Sequence, residues 1–577
     1  MRSSTAALRV LNASAYAPPL RQTRFPCLRD QRLIHNSSLL RRPRSGHASL
    51  CLHPRFTHIR LASNSSRDTT PPQSEDNADA AVPSSSTSTS TSSSSSKSTS
   101  PLSSATSSSS TEDWEENPNF NIEKFSELPH TNFGVNQHMI INDEFKEALR
   151  QILWQFRAPI RYAFAYGSGV FPQSAPNGRV PTEAEIKAIH PKAPLAVQRA
   201  QDGSPKMIDF IFGVTFTQHW HSLNLHQHRD HYSALGSLGS GAVSYVQDNI
   251  GAGVYFNPYV VVNGILIKYG VVNLDTLCTD LSEWQTLYLA GRLHKPVKIL
   301  RDDARVRLAN QINLLSALRT ALLLLPPEFT ERELYSTIAA ISYLGDPRMS
   351  LPTENPQKVA NIVDHNMSNF RRLYAPLIET LPNAQFNDSR CSQRDWLDDG
   401  DANLKLAQDM DPVRRGNMVR RLPKAFRERL YFQYQKQFAI PRGEFNQMME
   451  ASRDEDDAAA GGGFRRQQAT AFERRIVEDA DPATLTKHVR HVIKQTINWP
   501  STSQSLKGVL TSGLGRSVRY MGEKMAKFRQ GKKQAADPEA EAKAESTEKV
   551  SEKSEKPEES STTEAPKEAP KDSEKKA

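Results

Sequence analysis

The sequence predicts an α+β protein whose packed part lies between two long unpacked ends, and three observations carry that expectation. Strand-like apolar runs and helix-periodic ones follow one another between about Phe133 and Leu381. Hydrophobic residues make up only 37% of the 577, below the roughly 45–50% of an ordinary globular chain, so part of the chain has too little to bury. The deficit is local: residues 84–111 are almost pure Ser and Thr, and the tail beyond Pro538 is Lys, Glu, Ser, Ala and Pro. Such segments cannot offset the entropy of ordering.

The elements follow in order. Phe145, Ala148, Leu149, Ile152 and Phe156 fall at helical spacing, and Pro159 ends that helix. Tyr162-Ala163-Phe164-Ala165-Tyr166 reads as a buried strand running into Gly167-Ser168-Gly169. The Pro/Ala-rich interval 172–205 reads as an extended surface insertion. Residues 207–214 give a second strand and 259–267 a third, leading into Lys268-Tyr269-Gly270-Val271-Val272. From 297 to 380 the pattern is helical, with Leu308, Ile312, Leu315, Leu318 and Leu322 on one stripe. Residues 382–470 are Asp/Arg-rich and punctuated by glycine, and read as a poorly ordered insertion.

Charge narrows the partners. The first 67 residues hold one acid, Asp30, among many arginines and serines, the composition of a mitochondrial transit peptide. Four cysteines without a CxxC pairing argue against a disulfide framework or a cysteine zinc site. No apolar run reaches the ~18 residues a membrane span requires. Near the C-terminus, Leu506, Leu510, Leu514, Val518, Met521, Met525 and Phe528 recur every three or four residues. Lys507, Arg516, Arg519, Lys524, Lys527, Arg529, Lys532 and Lys533 accompany them. Residues 506–533 are therefore expected to lie on an anionic membrane surface.

Phosphate chemistry needs backbone N–H donors near a phosphate and carboxylates for Mg²⁺. A strand ending in Gly-Ser-Gly supplies the first, and Asp209, facing away from Ile208 and Phe210, supplies the second. The pair resembles the nucleotidyltransferase signature, a Gly-Ser turn followed by Asp-hydrophobic-Asp/Glu. Ile211 stands where that signature has its second carboxylate, which leaves Asp275 as a weak candidate for the second ligand. Longer blocks extend the likeness: Tyr166-Gly167-Ser168-Gly169-Val170-Phe171, 209–214, His219-Trp220-His221-Ser222-Leu223-Asn224, 251–258, 268–272 and 289–297. Together they closely resemble the mitochondrial translocator assembly and maintenance family, the mitochondrial CDP-diacylglycerol synthases, over about 125–380 and again over about 500–530.

The resemblance implies a phosphatidate cytidylyltransferase that uses CTP and Mg²⁺, peripheral on the matrix side of the mitochondrial inner membrane. It feeds CDP-diacylglycerol into phosphatidylglycerol and cardiolipin synthesis. The implied fold is a nucleotidyltransferase domain followed by a winged-helix-like helical domain. The expected organisation is a transit peptide over 1–67, a disordered Ser/Thr-rich spacer over 68–119 and the nucleotidyltransferase domain over 120–296. The helical domain takes 297–381 and the poorly ordered insertion 382–470. A C-terminal region with the membrane-surface helix takes 471–533, and a disordered charged tail 534–577.

On this reading Asp209 holds Mg²⁺, Gly167, Ser168 and Gly169 hold the triphosphate, and Lys268 neutralises phosphate charge. Arg292 and Lys295 serve phosphate or lipid headgroup. Five histidines fall between 219 and 231, a density that suggests a transition-metal site, but no cysteine or HExxH accompanies them. A part in substrate binding is therefore the expectation for His221 and His231. Two other functions fit parts of the pattern, an RNA-directed nucleotidyltransferase and a non-enzymatic assembly factor for inner-membrane translocases. No interleaved basic-aromatic RNA motif is present, so no nucleic-acid partner is expected.

Overall fold

Asn142 opens the first long helix, Asp143–Trp154, by accepting the Phe145 N–H at 3.0 Å, with Asp143 and Glu144 in the first turn. Its apolar residues Phe145, Ala148, Leu149 and Ile152 are all buried. The computed structural model describes residues 113–116 and, from 118 to 529, all but 174–180, 202–204, 351–354, 393, 459–468, 479–481 and scattered positions after 513. The expected transit peptide, the Ser/Thr tract and the charged tail lie outside the described residues.

Five strands form the first sheet: β1 (Tyr162–Tyr166), β2 (Ile208–Val214), β3 (Val254–Val262), β4 (Ile265–Asn273) and β5 (Lys298–Arg301). Their order is β3-β4-β2-β1-β5. Only β2 and β4 run parallel; the other neighbours are antiparallel. The third expected strand, 259–267, is two strands, because Asn263 and Gly264 both take positive φ and turn the chain between β3 and β4. Central β2 is buried along nearly its whole length, which is why it reads as an unbroken apolar run.

The helix Ala304–Leu324 is covered on almost every side. Its leucine stripe accounts for one face. Its other buried positions include polar ones: Asn313 Oδ1 accepts from Trp284 Nε1 at 2.8 Å and bonds His294 Nε2 at 2.9 Å, and Asn310 donates to Gln137. Helices Glu331–Ile341 and Met367–Thr380 complete this half with a second sheet, antiparallel in the order β6-β8-β7. Its strands are β6 (Glu328–Thr330), β7 (Ala384–Phe386) and β8 (Lys405–Gln408).

Three expectations change here. Residues 382–470, read as poorly ordered, instead contribute β7, β8 and helices Pro412–Arg420 and Lys424–Gln437. They bury Leu404, Leu406, Val419, Phe426, Leu430 and Tyr434. The interval 172–205 carries two short helices, Glu183–Ile189 and Leu195–Ala200, where an extended insertion was expected. Thr182 and Glu185 form a capping box on the first. Finally, the end of the expected spacer is packed: Trp114 lies edge-on to Phe133 at 4.6 Å, and Glu115 pairs with the buried Arg319.

The long C-terminal helix, Pro482–Ser512, turns its polar side inward after residue 500. Ser501, Gln504, Lys507 and Thr511 are buried, while Leu506 is 75% and Leu510 54% exposed. Gln504 donates to the Val254 carbonyl at 3.0 Å and accepts the Ala252 N–H at 3.2 Å. Lys507 donates to the Gln247 and Ile250 carbonyls at the end of helix Gly239–Asn249. Burial pushes its ammonium down to about 7. Lys507 therefore caps a helix end inside the protein and does not meet lipid headgroups. Among the described residues no helix is long and apolar enough to cross a membrane.

Candidate functional site

Register places the site. On β2, Asp209 pairs with Tyr166 of β1 on one side and with Lys268 of β4 on the other. Residues paired in this way point to the same face of a sheet, so Tyr166, Asp209 and Lys268 form a row. The Lys268 ammonium lies 3.5 Å from the Asp209 carboxylate and 4.7 Å from the centre of the Phe256 ring. Both charged side chains keep part of their surface open, 31% for Asp209 and 19% for Lys268.

At the end of β1, Gly167 takes φ +80°, and a Cβ there would sit 3.4 Å from Asp209 Oδ2. The Gly167 carbonyl accepts both the Val170 and the Phe171 N–H, closing one helix-like turn. The N–H groups of Ser168 and Gly169 stand at the open start of that turn, beside the carboxylate, as at a helix N-terminus. Gly169 has a second reason to be glycine: a Cβ would meet the Met207 carbonyl at 2.8 Å. It lets the turn lie flat on β2, so its part is packing as much as ligand approach.

The row continues past Tyr166. Arg292 reaches the Tyr166 hydroxyl with Nε at 3.4 Å and lies 4.0 Å over the Tyr288 ring. Burial raises the Tyr166 hydroxyl above its ordinary value; Arg292 and Lys268 pull the other way and Asp209 adds to the rise. Tyr166 therefore lies within the fields of three of the predicted site residues. Lys295, one helical turn beyond Arg292, donates to Ser342 Oγ at 2.7 Å. Both residues are set by Asp280, which the sequence reading missed. Its buried carboxylate accepts the N–H groups of Thr286, Leu287, Leu289 and Ala290 and so shapes the turn leading into Arg292.

The histidines lie elsewhere. His221 is fully buried, with Nδ1 at 2.8 Å from the Tyr232 hydroxyl and Nε2 at 2.8 Å from Gln247 Oε1. Burial lowers it to about 4, which keeps it neutral and unable to hold a phosphate by charge. His231 bonds the Tyr269 hydroxyl at 2.9 Å, and burial, helped by His228, lowers it to about 4 as well. Tyr269 follows Lys268 on β4 and stacks on Phe212, so this cluster occupies the face of the sheet opposite Asp209. The expected substrate contacts of His221 and His231 are thus replaced by core hydrogen bonds. His228, Asp230 and His231 are the single group among the described residues whose ligand atoms converge, within 4.8 Å, and they belong to that opposite face.

Among the described residues no second carboxylate pairs beside Asp209 on its strand neighbours. Ile211 points to the same face but is buried against Gly270, where a Cβ would stand 2.6 Å from Phe256 and 2.9 Å from Ile211. The expected ligand position is an apolar floor. Asp275 lies in the first turn of the helix after β4, and the end of that strand at Asn273 is already five positions, roughly 17 Å, from the Asp209 level. There its carboxylate pairs with Arg305, and its N–H donates to the capping side chain of Asn273.

The protein is mixed α/β, with a Gly-Ser turn, a carboxylate and the Lys268 ammonium on one face of a sheet. The family described as mitochondrial phosphatidate cytidylyltransferase matches residues 149–527, and the chain belongs to it. The mitochondrial phosphatidate cytidylyltransferase of Saccharomyces cerevisiae is 42% identical over 262 residues, 45% of this chain and 62% of that protein. That of Xenopus laevis is 35% identical over 381 residues, 66% of this chain and 94% of that protein. The Schizosaccharomyces pombe protein is 42% identical over 254 residues, 44% of this chain and 58% of its own length.

Proposed function

We propose that this chain is a phosphatidate cytidylyltransferase working at the matrix face of the mitochondrial inner membrane. It converts CTP and phosphatidate to CDP-diacylglycerol and pyrophosphate, for phosphatidylglycerol and cardiolipin synthesis. The observation that carries the reading is the row Gly167–Ser168, Asp209 and Lys268 on one sheet face of a chain in this family. The five-stranded sheet is read as a nucleotidyltransferase domain, and the helices with the β6-β8-β7 sheet as the winged-helix-like one.

In the reaction a phosphate oxygen of phosphatidate attacks the α-phosphorus of CTP in line. The bond to the β-phosphate breaks, and pyrophosphate leaves with that electron pair. No covalent step on the protein is needed, so positioning and charge stabilisation do the catalysis. Ser168 and Gly169 present N–H donors to the triphosphate, and Lys268 places a cation beside the reacting phosphates. A lone carboxylate fits Mg²⁺, which commonly takes one or two carboxylates together with substrate phosphates and water, so Asp209 is the residue that would hold it. When bound, the ion would offset charge on the triphosphate. Arg292, held on Tyr166 and Tyr288, would add a second cation to this site.

The test is CTP-dependent formation of CDP-diacylglycerol and pyrophosphate in phosphatidate liposomes with Mg²⁺. Liposome binding without turnover would overturn the enzyme in favour of an assembly factor. A transfer of nucleotide to RNA would point to the other class.

A two-chain substrate also demands contact with a bilayer. Leu506, Val509 and Leu510 are exposed on the helix whose polar side is consumed by the protein, and Val518, Met521 and Met525 are exposed beyond its end at Ser512. Replacing Leu506 and Leu510 together by aspartate should weaken sedimentation with cardiolipin-containing vesicles by tenfold or more, since each leucine contributes roughly 1.5–3 kcal/mol on burial. Turnover of a short-chain, dispersed phosphatidate should persist. Unchanged sedimentation would remove this face from the membrane contact.

A further inference from the structure

Three groups that the transfer site does not use gather on the sheet face away from Asp209. His228, Asp230 and His231 each offer one ligand atom, and these atoms lie within 4.8 Å of one another. The turn Arg229–His231 brings them together, closed by the His231 N–H on the His228 carbonyl at 3.2 Å. The two imidazoles lie face to face, with centres 4.4 Å apart and 4° between their planes. Phe156 meets both rings at a steep angle, with centres 5.7 and 6.1 Å away.

The chemistry of this set is that of a metal site. Two imidazoles and a carboxylate suit Zn²⁺ and its transition-metal neighbours, whereas Mg²⁺ prefers oxygen ligands alone. Two imidazolium ions would repel one another in this stack, so the rings are neutral and keep the lone pairs a metal requires. His231 is buried and already oriented: its Nδ1 lies 2.9 Å from the Tyr269 hydroxyl, which in turn accepts from Asn224 at 3.0 Å. Outer partners of this kind fix the direction of a metal-binding ring.

The other two groups can move to meet it. Asp230 is exposed and His228 half-buried, and His228 Nε2 reaches the Gln155 carbonyl only at 3.5 Å, the outer limit of a hydrogen bond. A tetrahedral ion with bonds of roughly 2.0–2.1 Å holds its ligand atoms about 3.4 Å apart. Rotation of these two side chains about the fixed His231 closes that difference, and the stacked rings splay as they turn to one ion. Arg516 brings a like charge near, through its bonds to the Asp230 and His231 carbonyls at 2.8 and 3.0 Å. The Asp230 carboxylate offsets it. Arg229 is turned to the Tyr232 and Ser233 carbonyls and the Ser237 hydroxyl.

We infer that His228, Asp230 and His231 form a binding site for a divalent transition-metal ion such as Zn²⁺, with water in the remaining position. The site goes beyond the cytidylyltransferase reading and does not depend on it, because it lies across the sheet from Asp209. Its part is structural: the ion pins the turn whose carbonyls receive Arg516, from the chain beyond Ser512.

The test titrates the full chain, without an affinity tag and stripped of metal, with Zn²⁺ in excess Mg²⁺, and counts the zinc that stays bound. The excess Mg²⁺ occupies carboxylate sites such as Asp209. One zinc ion per chain is expected, and Co²⁺ in its place should give the intense visible absorption of a four-coordinate ion. His228→Ala should weaken binding roughly tenfold or more, since even the loss of an outer partner of a metal site costs that much. Asp230→Asn should weaken it too. Zinc should raise the unfolding midpoint of the wild type and not of His228→Ala. An unchanged midpoint of metal-free His228→Ala shows that the loss is not one of folding. Zinc held equally well by wild type and by the double variant His228→Ala with Asp230→Asn would overturn the site, as would a wild type that retains no zinc.

Discussion

Asp209→Asn is expected to lower kcat for CDP-diacylglycerol formation by roughly 10³-fold while leaving the melting temperature within a degree or two of wild type. Removing one charge-stabilising group from a transfer site costs roughly 10²–10³ in rate, and loss of a metal-binding acid adds to that. The substitution keeps shape, so β2 and its pairing with β1 and β4 should be undisturbed. The ion pair it breaks, to Lys268 at 3.5 Å, is partly open to solvent, and such pairs contribute little to stability. Neither position considered for a second acid can take over, because Ile211 is fully buried on the apolar floor and Asp275 is held by Arg305 beyond the other end of the strand. Asp275→Asn is the control and should leave kcat within about threefold. Initial rates of pyrophosphate release for the three proteins decide the matter. More than a tenth of wild-type activity in Asp209→Asn would show that this carboxylate does not carry the metal.

The parts of this site that were legible in the sequence are those set by strand alternation. A run such as Ile208-Asp209-Phe210 fixes which way Asp209 faces, and the glycines of 167–169 announce a turn. What stayed hidden depends on pairings between distant segments. Nothing local distinguishes His221, which ends as a neutral core group, from a histidine that meets substrate; only the partners Tyr232 and Gln247 decide it. The largest misreading, residues 382–470, has the same origin. Their arginines and acids suggest a solvated chain, but Arg415, Arg420 and Arg427 are buried against backbone carbonyls and neighbouring side chains. Polar composition signals disorder only when the polar groups have no partners inside the fold.

The most consequential of those hidden partnerships is between Glu331 and Arg371, and Arg371→Ala should cost about 3–5 kcal/mol of stability. Both side chains are completely buried and meet through two parallel bonds of 2.9 and 2.8 Å. Arg371 spends its remaining donors on the carbonyls of Trp396, Asp399 and Ala402. Glu331 in turn accepts the Tyr335 hydroxyl and the Leu404 N–H. One ion pair thus pins the 394–404 segment, and with it the start of β8, onto two helices. Truncating the arginine strands a carboxylate in the core and leaves three carbonyls without donors, so the loss exceeds that of the contacts alone. The double change Glu331→Gln with Arg371→Met leaves no buried charge and should be the milder lesion, although it deletes more of the pair. Equilibrium unfolding in urea measures both, and limited proteolysis reports whether 394–404 opens first. A cost below 1 kcal/mol for Arg371→Ala, or a double variant weaker than the single, would mean that this segment is held by its apolar contacts through Trp396 and Leu404 instead.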